Sequence, residues 1–221
     1  MNILAFDTST QILGIALSLG DRLYLVEDEG GARTSDILLP CIAKLLEQHQ
    51  VTLKDMDAIA FGSGPGAFTG LRAAAAAAQG MALGANLPVI PVITLQAGAQ
   101  EYIIQHAQEL KNISAPDILV QLDARMNEWY WAHYQWKNDA WHVLTAPSLS
   151  TPDVLQAYQD KVQPTKIVIM TGTQMQGLVE LAKQAWLQGN TVTAEQALPL
   201  YLRDKVALTT VERMALHAKK Q

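Results

Sequence analysis

The sequence predicts an α/β fold made of two similar mixed-sheet lobes, and three observations carry that prediction. A block of strand, acidic turn, strand and hairpin occurs twice: Ile3-Leu4-Ala5-Phe6-Asp7 opens one copy and Leu119-Val120-Gln121-Leu122-Asp123 the other. Each copy continues into helix, strand and helix, and similarity at so long a period points to duplication of one supersecondary unit. At the centre of the first copy, the glycine-rich turn Gly62-Ser63-Gly64-Pro65-Gly66 runs from an apolar strand into the six alanines Ala73–Ala78, which have the highest helix propensity.

Taken in order, Asn2–Phe6 reads as a short apolar strand ending in Asp7-Thr8-Ser9-Thr10. Leu13–Leu19 and Arg22–Glu27 follow as strands joined by a Gly20-Asp21 hairpin turn. A helix from Ser35 to about His49 carries Ile37, Leu38, Leu39, Cys41, Ile42, Leu45 and Leu46 around well over half of its circumference. A helix lying on a sheet needs an apolar stripe of only about 100°, so the excess calls for a second surface. Met56–Phe61 is the strand that feeds the glycine turn, Thr69 is the expected N-cap of the alanine helix, and Asn86 with Pro88 closes it. On that helix Gly70, Ala73, Ala77, Gly80 and Gly84 fall within about 80° of one another, a stripe almost free of side chains. Pro88–Ile93 is a strand, and a helix runs from Thr94 to about His106.

The polar, proline-containing stretch Asn112–Pro116 is the expected boundary between lobes of 1–110 and 111–221, the tail of the second being free to return to the first. Beyond it come strands at Ile118–Leu122, Glu128–Trp136 and Trp141–Thr145, a short helix opened by Ser150-Thr151-Pro152-Asp153, a strand at Lys166–Met170 and a helix at Met175–Gln184. A further helix is expected over Ala194–Leu202, and Asp204–Gln221 reads as a polar, frayed end. Two such halves facing each other describe the actin-like ATPase (ASKHA, ribonuclease H-like) architecture, in which a nucleotide sits between the two acidic turns.

Composition narrows the function. Apolar residues make up 49% of the 221 and charged ones 17%, enough for a large core. A net charge of −5 and a pI near 5.5 argue against a protein that holds nucleic acid unaided, since such binding rests on neutralising phosphates. The single Cys41 excludes a disulfide framework and suggests a reducing, cytoplasmic compartment; no signal peptide or membrane helix is visible. No pair among His49, His106, His133, His142 and His217 has zinc-type spacing, so no metal is expected.

Candidate chemistry lies in the two acidic turns. Asp7, Thr8, Ser9, Thr10 and Asp123 form the expected nucleotide-facing set, with the aspartates orienting Mg²⁺ and water. The competing reading is that each aspartate caps its own turn through side-chain to backbone bonds. The glycine turn likewise admits two readings: an anion site at a helix N-terminus, or a closely packed strand-to-helix connection. It lacks the Gly-Lys-Ser/Thr ending of a P-loop. Trp129, Tyr130, Trp131, Tyr134, Trp136 and Trp141 form an aromatic strand pair, either a base-stacking surface or part of the core, and without interleaved arginines the core is favoured.

Five stretches resemble the bacterial TsaB (YeaZ) family: Ile3–Thr10, Gly64-Pro65-Gly66-Ala67-Phe68-Thr69-Gly70-Leu71-Arg72, Asp123-Ala124-Arg125, Glu128-Trp129-Tyr130 and Pro199-Leu200-Tyr201-Leu202-Arg203. The resemblance implies an actin-like fold without catalysis of its own. It implies a role in forming N6-threonylcarbamoyladenosine next to the tRNA anticodon, beside the catalytic paralogue TsaD and the ATPase TsaE. It further implies no intrinsic cofactor, with ATP or ADP held only in the complex and tRNA reached only through it. An active ATPase or kinase-like enzyme using Asp7 and Asp123 is the alternative, and the metalloprotease label attached to some relatives lacks its ligands here. Two positions depart from the family pattern: Thr34-Ser35 replaces the usual His-Ser or His-Thr, and Asn127 replaces a glycine. Leu38, Ile42, Leu45 and Leu46 of the first long helix, with Gly70, Ala73, Ala77, Gly80 and Gly84, are the expected partner interface, used for TsaD and, in its absence, for a homodimer.

Overall fold

Alternation of side chains decides how the first sheet is covered. In strand β1 (Asn2–Asp7), Leu4 and Phe6 point to one face and Ile3 and Ala5 to the other, and all four are buried. A strand apolar on both faces needs helices on both. The computed structural model describes residues 1–203 and supplies them. β1 pairs antiparallel with β2 (Ile12–Leu19), which pairs with β3 (Arg22–Glu29). On its other side β1 pairs in parallel with β4 (Ala58–Gly64), and β4 with β5 (Val89–Ile93), giving the order β3-β2-β1-β4-β5. The Leu4 and Phe6 face packs against α1 (Thr34–Gln48) and α2 (Phe68–Ala85).

The second half repeats the plan. β6 (Asp117–Asp123) pairs antiparallel with β7 (Trp129–Lys137), β7 with β8 (Ala140–Ser150), and β6 in parallel with β9 (Lys166–Met170). The order β8-β7-β6-β9 reproduces β3-β2-β1-β4, which is the duplicated mixed-sheet arrangement of the actin-like fold. The repeat is incomplete. Residues 65–93 carry α2 and β5 in the first half, whereas residues 171–174 alone separate β9 from the next helix. Leu119 and Trp131 are covered by α5 (Pro152–Val162) through Leu155, while Ile167 and Ile169 of β9 stay exposed.

The lobes exchange helices. α3 (Thr94–Gln105) follows β5 but places Leu95 and Ala99 on the Val120 and Leu122 face of the second sheet. α6 (Met175–Leu187) follows β9 but places Leu178, Val179 and Ala182 on the Ile3 and Ala5 face of the first. The two helices meet at Gly177, where a Cβ would collide with the Ala97 carbonyl and the Glu101 backbone, and the Gly177 N–H donates to Glu101 Oε2 at 2.7 Å. The short α4 (Ala107–Leu110) then leads to β6.

Several expectations are corrected. α6 lies on the first lobe, because the Ile3 and Ala5 face of the first sheet is the free apolar surface it fits, and the chain after it returns there as expected: Val192 bridges to Val89 and Ala197 is in the first lobe's core, before residues 202–203 cross to the second. No α-helix forms over Ala194–Leu202. A 3-10 turn at Ala194–Gln196 is followed by extended chain, since Pro199 cannot continue a helix and the Leu200 N–H is taken by the Ser63 carbonyl at 2.7 Å. α2 starts one residue before Thr69, with Ala67 as N-cap and no side-chain capping bond. β8 extends past Thr145 to Ser150, its register adjusted by irregularities at Trp131/His133 and His133/Tyr134. Asn86 does close α2, in the left-handed region at φ 54°. The expected frayed stretch Asp204–Gln221 lies outside the described residues.

Candidate functional sites: the inter-lobe cleft and the helical groove

Both acidic turns are built alike. The Ser9 N–H donates to Asp7 Oδ1 at 2.6 Å, and the Arg125 N–H donates to Asp123 Oδ1 at 2.7 Å, so each aspartate caps its own turn. Their surroundings differ. Asp7 lies on the face covered by α6, 2% exposed, pressed against Gly62 and reached by the Thr94 hydroxyl at 3.4 Å. Burial pushes its carboxyl above the usual aspartate range, and donors of Ser9 and Thr94 only partly offset this. The Ser9 hydroxyl is near enough to Asp7 to pull that pKa down, yet it meets no partner in good hydrogen-bond geometry. Asp123, on the Leu119 and Gln121 face, stands exposed at the end of β6 and is paired with Arg125 at 3.4 Å. Of the expected nucleotide-facing set, Ser9, Thr10 and Asp123 line the cleft between the lobes; Asp7 and Thr8 are buried behind it, Thr8 donating to the Gly70 carbonyl at 2.7 Å.

The glycine turn is closed against the first acidic turn. The Ala67 N–H, which would face an anion at the helix start, donates instead to the Ser9 carbonyl at 2.7 Å. A Cβ at Gly66 would collide with Ser9, and one at Gly70 with the Thr8 carbonyl. Glycine is needed here for close backbone approach, so the packed strand-to-helix connection is the arrangement found.

The cleft itself, about 410 Å³, is bounded by Phe68 and Leu71 on one lobe, Leu122, Arg125 and Tyr130 on the other, and a strap from Leu200 to Arg203 across them. Arg203 fixes the strap: one guanidinium nitrogen donates to the Ala124 carbonyl at 3.0 Å and to Glu128 Oε2 at 2.6 Å. On the first lobe, Arg72 stacks over the Phe68 ring at 3.9 Å and donates to the Tyr201 hydroxyl at 3.1 Å. Glu128, Arg203, Arg72 and Tyr201 all belong to the family-like stretches, but pairs separated by 75 or 129 positions leave no local pattern that reveals their contacts.

A second concave surface lies along α2, bounded by Thr52, Leu53 and Lys54 and by Leu39 of α1. The expected interface residues Leu38, Ile42, Leu45 and Leu46 are core instead: their spacing is that of the stripe facing the sheet, and they pack on it. Gly70 is buried under Thr8, and Ala73 is half-buried. The remaining part of the stripe does face outward. Ala77, Gly80 and Gly84, with Ala76, Met81 and Leu39, line a groove of about 710 Å³, and a Cβ at Gly80 or Gly84 would meet nothing. The surplus apolar surface of α1 is thus Leu39, which stands 52% exposed at the groove's rim.

The aromatic strands are core on one face and covered on the other: Tyr130, Trp131 and Tyr134 are buried, and the Trp141 Nε1–H donates to Gln100 at 2.7 Å. On the face covered by α5, His133 is buried between Asp117, at 2.7 Å, and the Tyr158 hydroxyl, at 3.0 Å. Burial raises the Asp117 pKa, but bonds from Thr165 and His133 outweigh it and leave the carboxyl below the usual range. Among the described residues, no three His, Cys, Asp or Glu side chains cluster as metal ligands, and no helix is long and apolar enough to cross a membrane.

The family model described as TsaD, tRNA N6-adenosine threonylcarbamoyltransferase, matches residues 31–217. The tRNA threonylcarbamoyladenosine biosynthesis protein TsaB of Escherichia coli K12 is 33% identical, with 94% of this chain and 96% of that protein aligned. Its Haemophilus influenzae counterpart is 31% identical over 93% and 95%. Among solved structures, YeaZ from Pseudomonas aeruginosa superposes with a TM-score of 0.73 at 31% identity, covering 91% of this chain and 99% of that one. Sharing about a third of its residues with these proteins over nearly its whole length, and folded as they are, the chain belongs to the TsaB (YeaZ) family of tRNA threonylcarbamoyladenosine biosynthesis proteins.

Proposed function

We propose that this chain is a non-catalytic, partner-binding subunit needed for N6-threonylcarbamoyladenosine formation next to the anticodon, acting in the cytoplasm with a TsaD-like transferase and a TsaE-like ATPase. The observation that carries this reading is the contrast between its two concave surfaces. The glycine turn has turned its N–H group inward to Ser9, and one acidic side chain of the expected pair is buried. The groove of Ala77, Gly80 and Gly84 is open, apolar and flat enough for another helix to approach closely. In this reading the groove takes the TsaD-like protein and, without it, a second copy of this chain about a two-fold axis. ATP or ADP is held only in the complex, by partner groups, and tRNA is met only through it.

The alternative, a kinase-like enzyme using Asp7 and Asp123, predicts ATP turnover by the isolated chain. Measured with Mg²⁺ and the pure protein, turnover is expected at background level, unchanged by Asp7→Ala or Asp123→Ala. A rate that disappears in both variants would establish the kinase-like enzyme instead.

A further inference from the structure

The incomplete repeat leaves the second sheet one helix and one strand short. In the first lobe, α2 lies on Ile59 and Phe61 of β4, both fully buried, and β5 pairs with the outer edge of that strand. β9 holds the place of β4 in the second sheet, parallel to β6, with Ile167 beside Leu119 and Ile169 beside Gln121. Among the described residues nothing covers it: Ile167 is 47% and Ile169 58% exposed, and the outer edge of β9 has no strand partner. α5 reaches only the Leu119 and Trp131 part of this face. Next to Ile169, Gln121 is buried, yet its amide nitrogen has no hydrogen-bond partner among the described residues. An apolar strip at a free sheet edge, with an unpaired amide beside it, is a surface that calls for a further layer.

The place where the described chain ends points to the occupant. The strap carries the chain from the first lobe, where the Ser63 carbonyl holds the Leu200 N–H, to the second, where Arg203 is held by Ala124 and Glu128. Leu202 packs on the cluster that contains Met170, the last residue of the uncovered strand. Residues 204–221 follow, 18 positions against the 18 of α2. The stretch is polar overall, but Ala207, Leu208, Val211, Met214, Ala215 and Ala218 recur at spacings of three, four and seven. At 100° per residue they share one face about 120° wide. A helix over 207–218 is about 18 Å long, the five-residue β9 about 17 Å, and the three residues before that helix span up to about 10 Å.

We propose that residues 207–218 dock as an amphipathic helix on Ile167 and Ile169 of their own chain, taking in the second lobe the place that α2 takes in the first. The inference concerns the second lobe alone and is independent of the partner-binding role of the groove.

Hydrogen exchange of the full-length chain at two concentrations, read by mass spectrometry, tests it. Amides of 209–218 are expected to exchange about tenfold or more slowly than an unfolded peptide, and equally at both concentrations. Ile169→Asp, at a position already exposed, should abolish that protection and leave the β1 amides unchanged, whereas Gly80→Arg should preserve it. As a second measurement, Ile167→Cys with Leu208→Cys, in a Cys41→Ser background, should form a disulfide on mild oxidation, while Gly80→Cys with Leu208→Cys should not. An unprotected tail in the wild type, or protection and cross-linking indifferent to these choices, would overturn the proposal. So would protection lost in Gly80→Arg and kept in Ile169→Asp, which would put the segment in the α2 groove, or protection that grows with concentration, which would assign it to a second copy. No partner protein enters the experiment, so its failure leaves the proposed function untouched.

Discussion

At the scale of single residues, Asp7 and Asp117 show how one side-chain type is pushed in opposite directions. Asp7 is desolvated and its pKa raised, so the native state holds its proton to higher pH than the unfolded chain does. Stability therefore falls as pH rises from the ordinary aspartate range through the folded value, and above that window the ionised carboxyl is a cost. Asp7→Asn keeps the acceptor for the Ser9 N–H, and its melting temperature is expected to match or exceed wild type at pH 7, the difference shrinking below about pH 4. A large loss of stability at pH 7 would show that the charge is used. Asp117 is the reverse case. Its lowered pKa contributes stability above the unfolded value that is lost as pH falls through the folded one. Asp117→Asn should thus melt below wild type at neutral pH and converge with it on acidification; a gap independent of pH would mean that packing, not charge, holds the Asp117–His133–Tyr158 array.

At the scale of elements, α1 and α2 separate core from surface within a few residues. Leu38→Ala opens a cavity on the sheet and is expected to cost about 2–5 kcal/mol in chemical denaturation. Gly70→Ala drives a methyl group into the Thr8 carbonyl and should cost about 3 kcal/mol or more, since backbone must move. Gly80→Ala, on the same helix, meets open space and should raise helix stability by up to about 1 kcal/mol. Equal effects of the two glycine substitutions would refute the assignment of faces. The contrast also shows what the sequence could convey. Periodicity identified both helices and their approximate ends. It could not decide which of two apolar stripes on α1 meets the sheet, because Leu38 and Leu39 are equally hydrophobic and only the second layer distinguishes them. The N-terminus of α2 lies one residue earlier than Thr69 would set it: Ala67 is a poor cap by type, and its place is fixed by a tertiary bond from its N–H to Ser9, 58 positions away in sequence, which no local pattern shows.

At the scale of the whole molecule, duplication was the most legible feature, since strand order and register repeat the Ile3–Asp7 and Leu119–Asp123 match. What the match concealed is that its two aspartates end on unlike faces, one buried and one exposed, so equivalence in sequence is not equivalence in site. The exchange of α3 and α6 between lobes, and the strap that Arg203 pins to Glu128, were invisible because they join distant segments. Arg203→Ala removes both strap bonds and should cost about 1–3 kcal/mol. Cleft and groove are separate surfaces: one lies between the lobes, the other lies on the first lobe alone. The central claim, that the open groove on α2 is where this chain meets its TsaD-like partner, is tested most directly by light scattering coupled to size-exclusion chromatography of the two purified proteins. Wild type is expected to form a heterodimer, while Ala77→Glu and Gly80→Arg, still folded by circular dichroism, are expected to elute separately from it, because a buried unpaired charge costs several kcal/mol. Heterodimers formed by both variants with unchanged affinity would contradict the account and place the interface elsewhere.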